Sequence, residues 1–350
     1  MSRPLITLPS LLLALGLGLA ACGVANDPDP ATTTVEAPAA GREGSTARVE
    51  VPKMEREGVW QPAPGGRQIP LWPANVPLAR PDSGDRPEMT GNGSPTVGGR
   101  RWHWATYVTR PTMTVYRPKG RNTGAAMLVL PGGGFHAVAM DLEGTEVCDW
   151  VVRQGMTCVV LKYRTPQVWP RVNGRQQRPE VLLGLEDAQR AMTLLRHDAA
   201  DYGIDPQKIG VIGFSAGANL VGHASWDRTP RTYEQKPGVD DPRGPDFTIF
   251  VYGGGFLEKE DKTKFREGFS VPADAPPCFF VVAHNDGANP LEAAKLYIEY
   301  KRQNLPAEIH VYSKGGHGFG TRQTKFPVDG WTRNAGEWMA STGWLKPAAK

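Results

Sequence analysis

The chain has 350 residues, 22% of them charged, with a formal net charge of +4 at pH 7. This length holds one large α/β domain with extensions. The charge is too mild and too evenly spread to point to nucleic acid, and the four cysteines lack the spacing of a metal site.

The first residues read as a targeting signal. Arg3 is a positive flank, and Leu5 to Leu19 is an apolar stretch too short for a comfortable membrane span. It ends in Leu19-Ala20-Ala21-Cys22, which resembles the lipobox of bacterial lipoproteins. That resemblance implies a signal peptide over 1–21 and lipidation of Cys22, which becomes the first mature residue. Cleavage at an ordinary A-x-A-like site is the alternative, and either places the protein outside the cytoplasm. The expectation is an exported lipoprotein anchored to a membrane on the periplasmic or cell-surface side. Residues 22–57, rich in Ala, Thr, Pro, Asp and Glu, bury too little to fold and read as a disordered tether. Residues 58–100 are rich in Pro and Gly, with Trp60, Ile69, Leu71 and Trp72 as anchors. They read as extended coil wrapped on a catalytic domain over 101–346.

Within that domain the pattern predicts strands at Met113 to Tyr116, Ala126 to Leu130 and Met156 to Tyr163, with a helix from Thr145 to Arg153 between the last two. A long amphipathic helix is expected from Glu180 to Tyr202. Ile209 to Phe214 is a buried strand, and Ala216 to Ser225 a helix of small and apolar residues. Further strands are expected at Phe247 to Tyr252, Cys278 to Ala283 and Glu308 to Tyr312, and helices at Pro290 to Lys301 and Gly330 to Trp344. Apolar strands alternating with helices imply a mostly parallel sheet covered on both faces. Its strand ends then share one edge, where ligands bind. Cys148, Cys158 and Cys278 sit in apolar segments, which favours buried free thiols, with one disulfide left open.

Between strand and helix lies Gly213-Phe-Ser215-Ala-Gly217, a G-x-S-x-G nucleophile elbow. Side chains at the two glycines would meet the neighbouring strand and helix. A serine hydroxyl needs a base, and His317, in the glycine loop after the last strand, is placed to supply it. His310 lies inside a strand, His284 ends one, and His223 is expected to face away from the edge. Asp286, just past the Cys278 to Ala283 strand, lies about 70 residues after Ser215 and about 30 before His317. It is the expected acid, in the chain order of α/β hydrolases. Its alternative is an Asx turn. Asp261 reads as part of a solvated excursion, and Asp187 as one half of a structural ion pair with Arg164 or Arg190. Pro131-Gly-Gly-Gly134 follows a buried strand at the place of the glycine-rich oxyanion motif of esterases, with proline where many relatives have histidine. By that correspondence the amides of Gly133, Gly134 and Ala216 hold the oxyanion.

Leu130-Pro-Gly-Gly-Gly-Phe135, Leu161-Lys-Tyr-Arg164, Asp187-Ala-Gln-Arg-Ala191, Gly203-Ile-Asp-Pro206 and Gly213-Phe-Ser-Ala-Gly217 together resemble bacterial α/β hydrolases of the acetyl-xylan-esterase-like group. Ile69-Pro-Leu-Trp-Pro73 is similar too, so the resemblance runs from about Ile69 to Leu345. It departs at Gly217-Ala-Asn219, where relatives commonly carry a second glycine and then histidine. The resemblance implies an α/β-hydrolase fold and a serine ester hydrolase without cofactor or metal. It also implies a small-molecule or polysaccharide ester as substrate, with acetyl esters of xylan-type carbohydrate leading. Trp169, in a loop expected to overhang Ser215, is a candidate sugar platform. A general carboxylesterase or lipase, a serine peptidase of the same fold, and a catalytically idle binding lipoprotein are the alternatives.

Overall fold

The structure, a computed structural model, describes residues 59–346 except 64–65, 174, 227–230, 237 and 288. The expected signal peptide, Cys22 and the whole of the tether fall outside the described residues.

The chain enters with β1 (Gln68–Pro70), β2 (Met89–Val97), β3 (Arg100–Thr106) and β4 (Thr112–Tyr116). β5 (Ala126–Leu130) and β6 (Ala137–Ala139) follow, and a wide π turn at Asp141–Thr145 leads into α1 (Glu146–Arg153). Next come β7 (Thr157–Lys162), the short hairpin β8 (Arg171–Val172) and β9 (Arg175–Gln176), α2 (Leu183–His197) and α3 (Ala199–Tyr202). β10 (Ile209–Phe214), α4 (Ala216–Trp226), β11 (Phe247–Val251), β12 (Cys278–Ala283), α5 (Asn289–Arg302), β13 (Ala307–Tyr312) and α6 (Trp331–Ser341) complete it.

The main sheet has eight strands in the order β1-β4-β7-β5-β10-β11-β12-β13. β4 pairs antiparallel with both neighbours, and the other neighbours pair parallel. β5, β7, β10, β11 and β12 are buried along their whole length. Strands so rich in Val, Ile, Leu and Phe suit a sheet covered on both faces, and each such side chain contributes roughly 1.5–3 kcal/mol on burial. Register aligns the strand ends: Gly213 lies beside Leu130 and Phe250, Val251 beside Val281, and Ala283 beside Tyr312. The loops leaving β5, β10, β11, β12 and β13 therefore emerge at one edge.

Three expectations change. Residues 58–100 are not plain coil, because β1 joins the main sheet and β2 pairs with β3. With β6 these form a separate three-stranded sheet, in which Trp102 and Trp104 lie over Gly93 and Gly91. Tryptophan opposite glycine is a packing signal that residue-by-residue composition hides. Glu88, part-buried, paired with the buried Lys162 at 2.6 Å and accepting the Trp60 N–H, pins the same segment to β7. The long helix ends at His197, since Asp198 leaves helical geometry and α3 restarts after it. Cys148 and Cys158 are not free thiols. They form a disulfide between α1 and β7 that spans ten positions, an entropic restraint of about 2–4 kcal/mol. Cys278 is the buried free thiol expected, and burial raises its pKa.

Candidate active site

Ser215 stands at the turn between β10 and α4 with φ +51, a left-handed conformation that a non-glycine side chain tolerates only when its surroundings impose it. The imposition comes from the two flanking glycines. A Cβ on Gly217 would sit 1.9 Å from Leu130 O, and one on Gly213 2.3 Å from Gly217 O. The Ser215 amide donates to Val251 O at 3.1 Å, tying the turn to β11.

Ser215 Oγ lies 2.8 Å from His317 Nε2, and His317 Nδ1 lies 3.0 Å from each Asp286 carboxylate oxygen. Three residues spread over 102 positions thus form one hydrogen-bonded chain. Asp286 is buried, and His317 is part-buried between Asp286 and the ring of Tyr252, 4.8 Å away between centroids. Burial disfavours the imidazolium. The hydrogen bond and charge of Asp286, aided by the Glu143 carboxyl, outweigh burial and raise the His317 pKa above its usual value.

The glycine loop after β5 is tied down through its carbonyls. Tyr163 Oη donates to Pro131 O, Ala139 N to Gly132 O, His136 N and Ala137 N to Gly133 O, Gln167 N to Phe135 O, and Thr106 Oγ1 to His136 O. Gly132 N donates to the buried Glu143 carboxylate at 2.7 Å. The amides of Gly133, Gly134 and Ala216 have no acceptor among the described residues. Gly134 and Ala216 line the cleft over Ser215, while Gly133, at φ +129, packs behind against Ala137 O.

That cleft encloses about 820 Å³. It is lined by Phe135 and Trp169, whose rings lie 5.3 Å apart, and by Trp226, Phe256 and Phe269. Arg178 and Arg266 reach it as well. Trp169 thus packs on the core and lines the cleft at once.

The other candidates separate cleanly. Asp187 pairs with Arg164 at 2.9 Å, and Arg190 pairs with Asp240 instead. Asp261 pairs with Lys264 in an exposed excursion. His310 bonds Glu308 at 2.7 Å and packs on Phe279. His223 departs from expectation: it lines the cleft and packs on Phe256, because Ala216, Asn219 and His223 share one face of α4. At the unusual position 219, the Asn side chain donates to Gly254 O at 2.9 Å and lines the same cleft.

Sequence reasoning missed four supports. Asn285 Oδ1 accepts from Gly315 N and Gly316 N at 3.1 and 3.0 Å, bracing the base loop. Asn289 Nδ2 donates to Asp286 Oδ2 at 3.2 Å. Both flank Asp286, so their spacing was a usable signal. Glu143 and Tyr252 carried none, since only the fold brings them behind Ser215 and His317. Among the described residues, no group of three or more His, Cys, Asp or Glu is placed to hold a metal ion, and no helix is long and apolar enough to cross a membrane.

The BD-FAE family model matches residues 113–243, which include the glycine loop and the elbow but stop before Asp286 and His317. The chain is 27% identical over 247 residues to endo-1,4-beta-xylanase B of Butyrivibrio fibrisolvens, covering 65% of this chain and 37% of that protein. It is 24% identical over 242 residues to an acetylxylan esterase of Xylanibacter ruminicola, covering 63% of this chain and 46% of the relative. It therefore spans less than half the length of either. Among solved structures it is similar to an acetyl ester-xyloside bifunctional hydrolase from Caldicellulosiruptor lactoaceticus, at 24% identity and a TM-score of 0.58 over 79% of this chain and 97% of that one. The eight-stranded, mostly parallel sheet and these likenesses show an α/β-hydrolase fold, in a chain similar to acetylxylan esterase and its relatives.

Proposed function

We propose that the chain is a serine ester hydrolase that removes short acyl groups, acetyl foremost, from carbohydrate of the xylan type. The observation that carries this reading is the unbroken contact from Ser215 Oγ through His317 to Asp286. In the proposed reaction, His317 Nε2 takes the Ser215 proton as Oγ attacks the acyl carbonyl. The amides of Gly133, Gly134 and Ala216 hold the developing oxyanion. His317, held in one tautomer by Asp286, then protonates the leaving alkoxide. Water, deprotonated by the same imidazole, cleaves the acyl-enzyme and restores the serine.

The substrate rests on the relatives' names and on the cleft. Trp169 offers a flat face for the C–H side of a sugar, and a short acyl group gains little from each added methylene before it clashes. The kcat/KM on aryl esters should fall from acetyl to butyryl to octanoyl, with about 1–3 kcal/mol as the scale of discrimination for one methylene. Acetate should be released from acetylated xylan, and more slowly by Trp169→Ala. Preference for octanoyl esters with no acetate from polysaccharide would instead favour a general carboxylesterase. That reading draws support from the size of the cleft.

Export and lipidation at Cys22 belong to the same proposal. The Cys148–Cys158 disulfide supports export, because such bonds persist in oxidising compartments. Several acyl chains on Cys22 would hold the protein on a membrane more firmly than one. Cys22→Ser is expected to move the protein from the membrane to the soluble fraction or to block its processing. Unchanged membrane fractionation would count against it.

A further inference from the structure

Behind the triad lies a carboxyl that the proposed reaction leaves without a task. Glu143, in the π turn after β6, is buried, and no lysine or arginine contacts it among the described residues. Its Oε2 accepts the Gly132 amide at 2.7 Å and its Oε1 accepts the Tyr252 hydroxyl, also at 2.7 Å. The same hydroxyl accepts the Gly320 amide at 3.3 Å, three residues beyond the base. The Tyr252 ring packs against His317 and, at 4.5 Å, against Phe319. Gly132 is itself wedged on the elbow, where a Cβ would lie 2.9 Å from Ser215 Cβ. A buried carboxyl with no cationic partner is costly and is kept only where the fold has a use for it.

We propose that Glu143 is a positioning residue that couples the start of the oxyanion loop to the loop carrying the base, through the Tyr252 hydroxyl, and whose charge favours the imidazolium formed on His317. The inference rests on the serine-hydrolase reading above. Tyr252 reaches Glu143 from the end of β11 and His317 from the base loop, and Tyr163 faces it from the end of β7. Asp141 faces it within its own turn, already paired with His103 and Arg322. His317 in turn faces Asp286 and Glu143 as its two acids. Burial raises the Glu143 pKa, against the Tyr252 hydroxyl, the charge of His317 and the Gly132 amide.

The test compares wild type, Glu143→Gln, Tyr252→Phe and the double variant on an aryl acetate, with circular dichroism to confirm each fold. Glutamine keeps the shape and one acceptor but loses the charge. Phenylalanine keeps the ring on His317 and removes the bridge. Each single variant should lower kcat by about ten- to hundredfold with little change in KM, the size of losing one charged hydrogen bond. The double variant should lose little more than the worse single one, as expected of residues in one chain. Glu143→Gln should also move the acid limb of kcat/KM to lower pH, because the imidazolium loses a facing negative charge. Should Glu143→Gln not fold, Tyr252→Phe carries the test. Folded single variants with wild-type kcat and an unmoved acid limb would overturn this inference alone. A wild type that hydrolyses no ester would overturn the parent reading with it.

Discussion

Ser215→Ala is expected to lower kcat by a factor on the order of 10⁶, and His317→Ala by a similar factor, with the fold intact in both. Alanine removes the hydroxyl that lies 2.8 Å from His317 Nε2. Removing the imidazole leaves that hydroxyl with no base, so either loss disables the same step. The fold should survive because Ser215 holds its left-handed backbone through Gly213, Gly217 and the Val251 carbonyl, none of which needs the hydroxyl. The check is kcat on an aryl acetate beside a thermal melt of each variant. Turnover by folded Ser215→Ala at a rate close to wild type would show that another group attacks the ester.

Asp286→Asn should cost about 10⁴ in kcat, because an amide presenting its N–H to Nδ1 favours the wrong imidazole tautomer. The pH profile gives a second reading. The reaction needs neutral His317, and Asp286 favours the charged form, so the wild-type acid limb of kcat/KM is expected to be shifted upward from the ordinary histidine value. Asparagine removes that bias, and the limb should move to lower pH. Asn289 already donates to Asp286 Oδ2, so the substituted amide meets a second donor there and has one orientation fewer to adopt. Near-full activity in Asp286→Asn, with the limb unmoved, would mean that another acid orients the base.

These residues were legible for a physical reason. β5, β7, β10, β11 and β12 are mostly apolar and buried along their whole length, and such runs have few homes except a sheet covered on both sides. With the sheet assigned, Ser215, Asp286 and His317 each fall just beyond a strand, and the common strand direction brings them together. Glu143 is different. It follows the glycine loop in the sequence as one acid among several, and only the return of the chain through β6 and the π turn carries it behind Gly132. Tyr252 reads as the end of a strand, yet its φ of +38 turns the ring under His317. The Cys148–Cys158 pair was open for a similar reason, since a helix and a strand ten positions apart must first be folded against each other. His223 was misplaced because its direction depends on how α4 lies over β11, which periodicity alone does not set.

The central claim is that Ser215 is the nucleophile, activated by His317. The most direct measurement is reaction of the folded protein with a fluorophosphonate probe, followed by peptide mapping of the adduct. The account predicts a single adduct on Ser215, absent in Ser215→Ala and formed far more slowly in His317→Ala. No adduct on the folded wild type, or an adduct on a residue other than Ser215, would contradict it.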